Sequence, residues 1–265
     1  MSAPGLRKWN TVWRGNLLDL IGSRQRHGLG GCYVELSSKN ARELWKALMA
    51  NAASLVRDAE LLMRSGSFGR ARSLTVLAQE ELGKALWIYD AFQGSWSAGE
   101  DAIQIVKVIQ EHGRNHARKY MEAIVFGREL ASFWGDYGQD DDYGDDQESW
   151  ERIWQERRQK AEAAAKEANL LKQRGFYVDQ GTGGSIQSPA GIEQGTLVMD
   201  LQTAAQVIEM LLIKDHTRMK HFSAEPYDGT HSTQFTLLPI AHPEDWAAAS
   251  EEFRAAANGE SPIDH

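Results

Sequence analysis

Residues 71–89 read ARSLTVLAQEELGKALWIY, a stretch without proline or β-branched runs and with many strong helix formers. At about 100° per residue, one side of this helix collects most of the apolar residues. They are Leu74, Leu77, Ala78, Leu82, Ala85, Ile88 and Tyr89. Val76 and Trp87 make part of the opposite side apolar as well. A helix that is apolar on two sides packs against neighbours on both, so this stretch predicts the central helix of a bundle.

The same helical periodicity extends along the rest of the chain and predicts an all-α fold. The expected long helices cover about residues 38–64, 69–92, 100–130, 150–174 and 196–221, and a short one covers 246–253. We divide the chain into a glycine-broken lead-in at 1–36, a helical domain at 37–221, and a tail at 222–265. The lead-in contains one short apolar stretch, Cys32–Val34, that could form a brief strand. The acidic, glycine-rich residues 135–148 predict a solvated loop inside the helical domain.

Composition excludes several classes of protein. With 265 residues, 42% of them hydrophobic, the chain is neither disordered throughout nor collagen-like. The net charge is −8, so the protein does not coat nucleic acid non-specifically, and any RNA contact comes from a local basic cluster. Cys32 is the single cysteine and forms no internal disulfide. We find no signal peptide and no membrane-spanning stretch, and we expect a cytoplasmic protein without a membrane contact.

Two predicted helices place polar residues on their apolar faces. Glu81 falls in the middle of the apolar side of the second helix, and His116 falls within that of the third. A carboxylate in such a place needs a partner, and antiparallel packing of the two helices brings Glu81 opposite His116. Lys84 and Lys119 then flank the pair at a cleft, while the spacing of Glu80 and Lys84 suits an ion pair. A structural ion pair on packed helices explains the same pattern.

Other chemistries find less support in the sequence. A di-iron bundle requires the spacing Glu-x-x-His, which does not occur in this chain. Phosphate-binding glycine motifs are missing too, and the acidic tract lacks the spacing of a calcium loop. We therefore expect no metal and no cofactor. The residues Asp215–His221 form a second polar cluster, which we interpret as a basic helix end, with contact to substrate as the alternative.

Residues 71–85 resemble the signature helix of the AbiV family of bacterial abortive-infection proteins, an alanine-rich helix that ends in Glu-Glu-x-x-Lys-Ala. That ending is matched by Glu80, Glu81, Lys84 and Ala85. The later His-x-x-Lys of the family is matched by His116 and Lys119. Residues 166–179 resemble a Lys-rich helix of the family and the aromatic-Tyr-Val-Asp segment that follows it. Tyr177, Val178 and Asp179 match that segment, and Pro189 lies downstream. The resemblance covers about residues 38–221.

The AbiV family is grouped with the HEPN superfamily, so the resemblance implies a HEPN-like helical bundle with extra C-terminal helices and loops. It also implies RNA or nucleotide binding, a homodimer, growth arrest on phage infection, and in many members metal-independent ribonuclease activity. One departure bears on that activity. The HEPN nuclease motif has an arginine four to six positions before its histidine, where this chain has Gln110, Glu111 and His112.

Our hypothesis for an enzyme gives His116 the acid–base role in RNA cleavage, with Glu81 orienting it. Lys84 and Lys119 complete the catalytic set and hold the phosphate together with Arg114. Arg114, Arg118 and Glu80 are assigned to RNA contact. Two alternatives remain: a helical module that binds RNA or nucleotide and blocks translation without cutting, and a sensor of a phage protein. A phage protein is in any case a possible activator.

Overall fold

The structure, a computed structural model, describes residues 35–134 and 147–257, and this part of the chain is built almost wholly of α-helices. The helices are α1 (Ser38–Arg64), α2 (Phe68–Ala98), α3 (Lys107–His112), α4 (His116–Trp134), α5 (Gln147–Phe176), α6 (Leu197–Phe222), α7 (Leu238–Ala241) and α8 (Pro243–Ala257). Two antiparallel strand pairs join β1 (Glu35–Ser37) to β2 (Ile103–Ile105) and β3 (Asp179–Gln180) to β4 (Ile186–Gln187). The expected all-α fold is confirmed.

Helix α2 is the centre of the bundle. It packs along α1 and also against α4, α5 and α6, as its two apolar sides predict. Its buried residues therefore occur on every side of the helix rather than in one stripe. Burying apolar surface on all sides of one helix fixes the positions of its four neighbours.

An aromatic cluster fills the core near the C-terminal end of α2. Tyr89, Phe92 and Trp96 from α2 meet Trp45 from α1, with ring centroids about 6 Å apart in tilted, edge-on and stacked arrangements. All four side chains are almost completely buried. Large aromatic rings bury much apolar area per residue, so this cluster anchors α1 to α2.

The predicted third helix at 100–130 is wrong, because the structure divides this segment into β2, α3 and α4. Gly99 adopts a left-handed conformation (φ 68°) and ends α2, five residues beyond the stop that Gly94 suggested. The backbone of Ile105 then pairs with that of Glu35 in the first strand pair. Asn115 begins a new helix, since its side-chain oxygen accepts a hydrogen bond from the backbone N–H of Arg118 (3.0 Å).

The remaining predicted elements agree with the structure more closely. The helix expected at 196–221 is α6, the one expected at 150–174 is α5 with a few more residues at each end, and the tail contains α7 and α8 and a 3₁₀ helix at Thr230–Thr236. Most of the acidic tract at 135–148 and all of Cys32–Val34 lie outside the described residues. No helix in the described ranges is both long and apolar enough to cross a bilayer. The three-segment division of the chain stays a prediction.

Candidate functional site

Glu80 is the buried acid of the bundle. It lies midway along α2, and only 2% of its surface is exposed. One turn further on, Gly83 brings the backbone of α4 very close, because a Cβ at that position would lie 2.0 Å from the carbonyl oxygen of Lys119. Glycine is needed there for this close approach. The approach places the first turn of α4 directly beside the Glu80 carboxylate.

Three basic side chains from two other helices surround the Glu80 carboxylate. Its Oε2 lies 2.6 Å from Nδ1 of His116 and 3.4 Å from Nζ of Lys119, both on α4. Its Oε1 lies 2.5 Å from Nζ of Lys172 on α5. A buried carboxylate is expensive unless it is paired and hydrogen-bonded, and here both oxygens have cationic or hydrogen-bonding partners.

His116 is held in one orientation. An ionised carboxylate only accepts hydrogen bonds, so the Nδ1–H of His116 donates to Glu80 and the neutral ring keeps its lone pair on Nε2. The side chain is 51% exposed, although its partner is buried. A carboxylate that fixes the tautomer of a half-exposed imidazole produces an oriented proton acceptor, the arrangement that general acid–base catalysis requires.

The start of α4 adds positive potential beside this ring. His116 is the first residue of the 19-residue helix, and Lys119 in the same turn is buried against Glu80. The unpaired N–H groups of a helix N-terminus carry a partial positive charge that favours anions nearby. An anionic group that approaches the exposed face of His116 would therefore meet a favourable potential.

Lys172 is a member of the site that sequence reasoning missed. Its carbonyl oxygen accepts a hydrogen bond from Oγ of Ser73 (2.8 Å), and Gly175 packs so closely on α2 that a Cβ there would lie 2.1 Å from the carbonyl oxygen of Gly69. Small residues on α2 and α5 thus bring the two helices together at this level. The signal was present in the sequence as Gly69, Ser73 and Gly83 on one side of the central helix.

The expected contact between Glu81 and His116 is wrong. Glu81 is only partly buried, and its Oε1 lies 2.5 Å from Nζ of Lys84, one turn along α2. The expected ion pair between Glu80 and Lys84 is wrong as well, because Lys84 pairs with Glu81 and His116 contacts Glu80. The apolar face that contains Glu81 did not identify the side of α2 that meets α4, because α2 is buried on all sides. The side that meets α4 carries Glu80 and Gly83.

The arginines expected to contact RNA lie at the start of α4. Arg114 is exposed in the turn before the helix. Arg118 is half-buried, and burial lowers the pKa of its guanidinium, while the charge of Glu122 opposes this shift. Arg114 is therefore the more accessible cation beside His116, and the roles of both arginines in RNA contact stay predictions.

The polar cluster predicted at Asp215–His221 has two parts: Asp215 and Arg218 belong to a buried ion-pair clasp with Arg42, whereas Lys220 and His221 are exposed in the last turn of α6. Asp215 lies between Nη2 of Arg42 (2.7 Å) and Nη2 of Arg218 (2.9 Å), and these three side chains are more than nine-tenths buried. Nη2 of Arg42 also lies 3.0 Å from Asp228, in the segment after α6. Burial raises the pKa of Asp228, but hydrogen bonds from Thr230 and the charge of Arg42 outweigh it, and the net shift is downward. These residues join α1 to α6 and to the tail.

Metal-ligating side chains do not gather in the described part of the chain. No group of three His, Cys, Asp or Glu residues there is close enough to hold a metal ion. Glu80 and the three side chains around it supply one carboxylate, two ammonium groups and one imidazole that donates from Nδ1, a set with more cationic donors than metal ligands. That the site works without a metal stays a prediction.

Together, the fold and the site define an α-helical bundle protein with a half-exposed histidine held by a buried glutamate. The chain belongs to the HEPN_AbiV family, whose model, described as AbiV, matches residues 40–209 and so covers more than half of the chain. The resemblance to AbiV proteins is confirmed, and this membership indicates a HEPN-type protein of abortive infection. A search of curated proteins and a search of solved structures each found no match. Glu80, His116, Lys119 and Lys172 all lie within the matched range.

Proposed function

We propose that this chain arrests growth during phage infection by cleaving RNA without a metal ion, with His116 as the catalytic acid–base. The observation that carries the proposal is the 2.6 Å contact between Nδ1 of the half-exposed His116 and the buried Glu80. A structural histidine on packed helices is usually buried together with its partner. Here the partner is buried, while the ring that it orients remains accessible.

The chemistry is transfer of a phosphodiester to the adjacent 2′-hydroxyl. Nε2 of His116 accepts the proton of the 2′-hydroxyl while the 2′-oxygen forms a bond to phosphorus. The bond from phosphorus to the 5′-oxygen breaks, and the imidazolium returns the proton to that oxygen. The products are a 2′,3′-cyclic phosphate and a 5′-hydroxyl end. Glu80 keeps the ring in its tautomer and stabilises the imidazolium that forms between the two steps.

Positive charge near His116 stabilises the phosphorane. We assign this charge to the start of α4, where His116 lies, and to Arg114, which is exposed two residues before it. Lys119 is turned inward to Glu80, so it acts through its field rather than by direct contact. Lys84 is partly exposed beside Glu81 and is a further candidate for the RNA backbone. A homodimer would bring two such sites together, and a phage protein would act as the activator.

A test in cells compares His116→Ala with a control, His112→Ala. The control removes a half-buried histidine at the end of α3, four residues before His116. Both variants are expressed in bacteria, and growth arrest and plaque numbers are measured with and without phage. We expect His116→Ala to lose growth arrest and protection while it stays folded by circular dichroism, and His112→Ala to keep both. A folded His116→Ala protein that still arrests growth would show that the imidazole is not the catalytic group.

Loss of arrest in His116→Ala also fits a protein that binds RNA without cutting it. Binding of a labelled RNA by wild type and His116→Ala separates the two functions. Equal binding with cleavage by the wild type alone supports the enzyme. Equal binding with intact RNA in the presence of infected-cell lysate supports a module that blocks translation by occupancy.

A further inference from the structure

We infer that Lys172 is a positioning residue that holds Glu80 so that Glu80 can orient His116. This inference rests on the proposed function for its effect on activity, but its structural part stands on the contacts of the carboxylate alone. Lys172 comes from α5, a different helix from the one that carries His116. It therefore holds the carboxylate independently of α4.

The two oxygens of Glu80 have different partners. Oε1 is bound by Lys172 at 2.5 Å, while Oε2 faces His116 at 2.6 Å and Lys119 at 3.4 Å. The shorter lysine contact is thus on the oxygen that His116 does not use. Because each oxygen has its own short contact, the carboxylate plane cannot turn without losing one of them, and Oε2 stays aimed at Nδ1.

The main chain around Lys172 is also fixed. Its carbonyl oxygen accepts the Ser73 hydroxyl, and the close approach of Gly175 to Gly69 holds α5 against α2 one turn further along. The side chain of Lys172 is buried, so its contact with Glu80 is not screened as a surface ion pair would be. A fixed backbone and a buried ammonium group are what a positioning residue needs.

Without Lys172, Lys119 is the one ammonium group left beside Glu80 among the described residues, and it contacts the same carboxylate oxygen as His116. The carboxylate is then free to turn towards Lys119, and the contact with Nδ1 is no longer enforced. We expect the neutral ring of His116 to populate both tautomers. A misplaced catalytic group costs up to about 100-fold in rate, so we expect kcat for RNA cleavage to fall roughly 10- to 100-fold with little change in KM.

The experiment compares Lys172→Met with Lys172→Arg and with Lys166→Met, a matched change at an exposed lysine of the same helix. Imidazole ¹⁵N NMR on the full chain reports the tautomer of His116, which is assigned from the spectrum of His116→Ala. We expect wild type and Lys166→Met to show the Nδ1–H tautomer, Lys172→Met to show a mixture, and Lys172→Arg to recover most of the Nδ1–H form.

The inference is overturned if folded Lys172→Met keeps the wild-type tautomer, whatever its activity. If Lys172→Met does not fold, Lys172→Gln replaces it, and an unchanged tautomer in that variant overturns the inference equally. Failure of the proposed function gives a different result: wild-type protein that cleaves no RNA while its tautomer still depends on Lys172. The spectrum and the cleavage assay therefore test the two proposals separately.

Discussion

Glu80 accounts for more of the site than any other side chain, because Lys119, Lys172 and His116 all converge on its two oxygens. Changing it to glutamine keeps the shape and removes the charge. We expect Glu80→Gln to lose about 3–5 kcal/mol in the free energy of unfolding, because two buried ammonium groups lose their counter-charge. Urea denaturation followed by circular dichroism measures this loss.

The neighbouring residue supplies the control for this prediction. Glu81 forms an ion pair with Lys84 that is partly exposed, and such pairs contribute less than about 1 kcal/mol. We expect Glu81→Gln to unfold at nearly the wild-type urea concentration. Equal losses in the two variants would contradict the assignment of Glu80 as the buried acid.

Sequence reasoning identified His116, Lys119 and the pair of adjacent glutamates, but it chose the wrong glutamate. A wheel calculation ranks the faces of a helix by apolarity, and α2 is buried on every face. The face that meets α4 is selected by close backbone contact at Gly83, which apolarity does not report. Lys172 was missed because a lysine in a helix rich in charged residues gives no local sign of being buried. The sign lay on α2 instead, in the small residues Gly69 and Ser73 that α5 approaches.

Two of the glycines in helix α2, Gly83 and Gly94, predict opposite effects of the same substitution. A Cβ at Gly83 meets the backbone of Lys119, whereas a Cβ at Gly94 meets nothing within 4 Å. We expect Gly83→Ala to destabilise the protein by about 1–3 kcal/mol, since α4 must move away. We expect Gly94→Ala to stabilise it by roughly 0.5–1 kcal/mol, since alanine is the better helix former. Thermal unfolding of both variants checks these two predictions. A Gly83→Ala protein as stable as the wild type would contradict the close contact between α2 and α4.

Helix α6 and the segment after it meet through a pair of histidines. The ring centroids of His216 and His231 are 4.0 Å apart, and the Tyr227 hydroxyl lies 2.9 Å from Nε2 of His231. Burial lowers the pKa of His216, and the positive charges of His231, Lys220 and His221 lower it further, while Asp215 opposes them. The folded protein therefore keeps His216 neutral at a pH where the unfolded chain already binds a proton.

The sign of the pH dependence follows from that lowered pKa. As the pH falls below about 6.5, the ordinary pKa of histidine, protonation favours the unfolded chain and stability is lost. We expect the free energy of unfolding to fall between pH 8 and pH 5.5, and the fall to be smaller in His216→Asn. His112→Asn, on α3 and outside the set of charges that act on His216, is the control. An undiminished fall in His216→Asn would contradict the assignment.

The break between α2 and α4 shows why one predicted helix was wrong. Ile105, Val106 and Ile109 are spaced as on one face of a helix, but the backbone of residues 103–105 pairs with residues 35–37. That pairing joins segments more than 60 residues apart, and local periodicity does not report it. The cap at Asn115 was visible in the sequence, and it places His116 at a helix N-terminus rather than inside a helix.

Across the whole chain, negative charge outweighs positive charge by eight, so we expect RNA contact to come from a local cluster of cations. We expect RNA binding to weaken steeply as salt rises, because those cations contact phosphates. Each phosphate contact on a single strand contributes about 0.7 to the slope of log K against log salt. Arg114→Ala is expected to lower the slope by roughly that amount, and Arg57→Ala, on the exposed surface of α1, to leave it unchanged. Filter binding over a range of salt concentrations measures the slopes, and equal slopes for wild type and Arg114→Ala would remove Arg114 from the site.

The architecture as a whole was more predictable from sequence than its contacts. Helical periodicity and end signals gave the all-α class, the central role of α2 and the bounds of α6, because these depend on local sequence and burial. The clasp of Arg42, Asp215 and Asp228 was not predictable, since it joins three distant segments. The AbiV motifs identified the family because they are short, ordered along the chain and correctly spaced.

The measurement that tests the central claim most directly is RNA cleavage in EDTA by purified wild type, His116→Ala and His112→Ala. Each protein is incubated with total cellular RNA, with and without lysate from infected cells, and the ends of the products are mapped. We expect wild type and His112→Ala to produce 2′,3′-cyclic phosphate ends, and His116→Ala to be slower by at least about 100-fold. Intact RNA with wild type in both conditions, or equal cleavage by His116→Ala, would contradict a ribonuclease centred on this histidine.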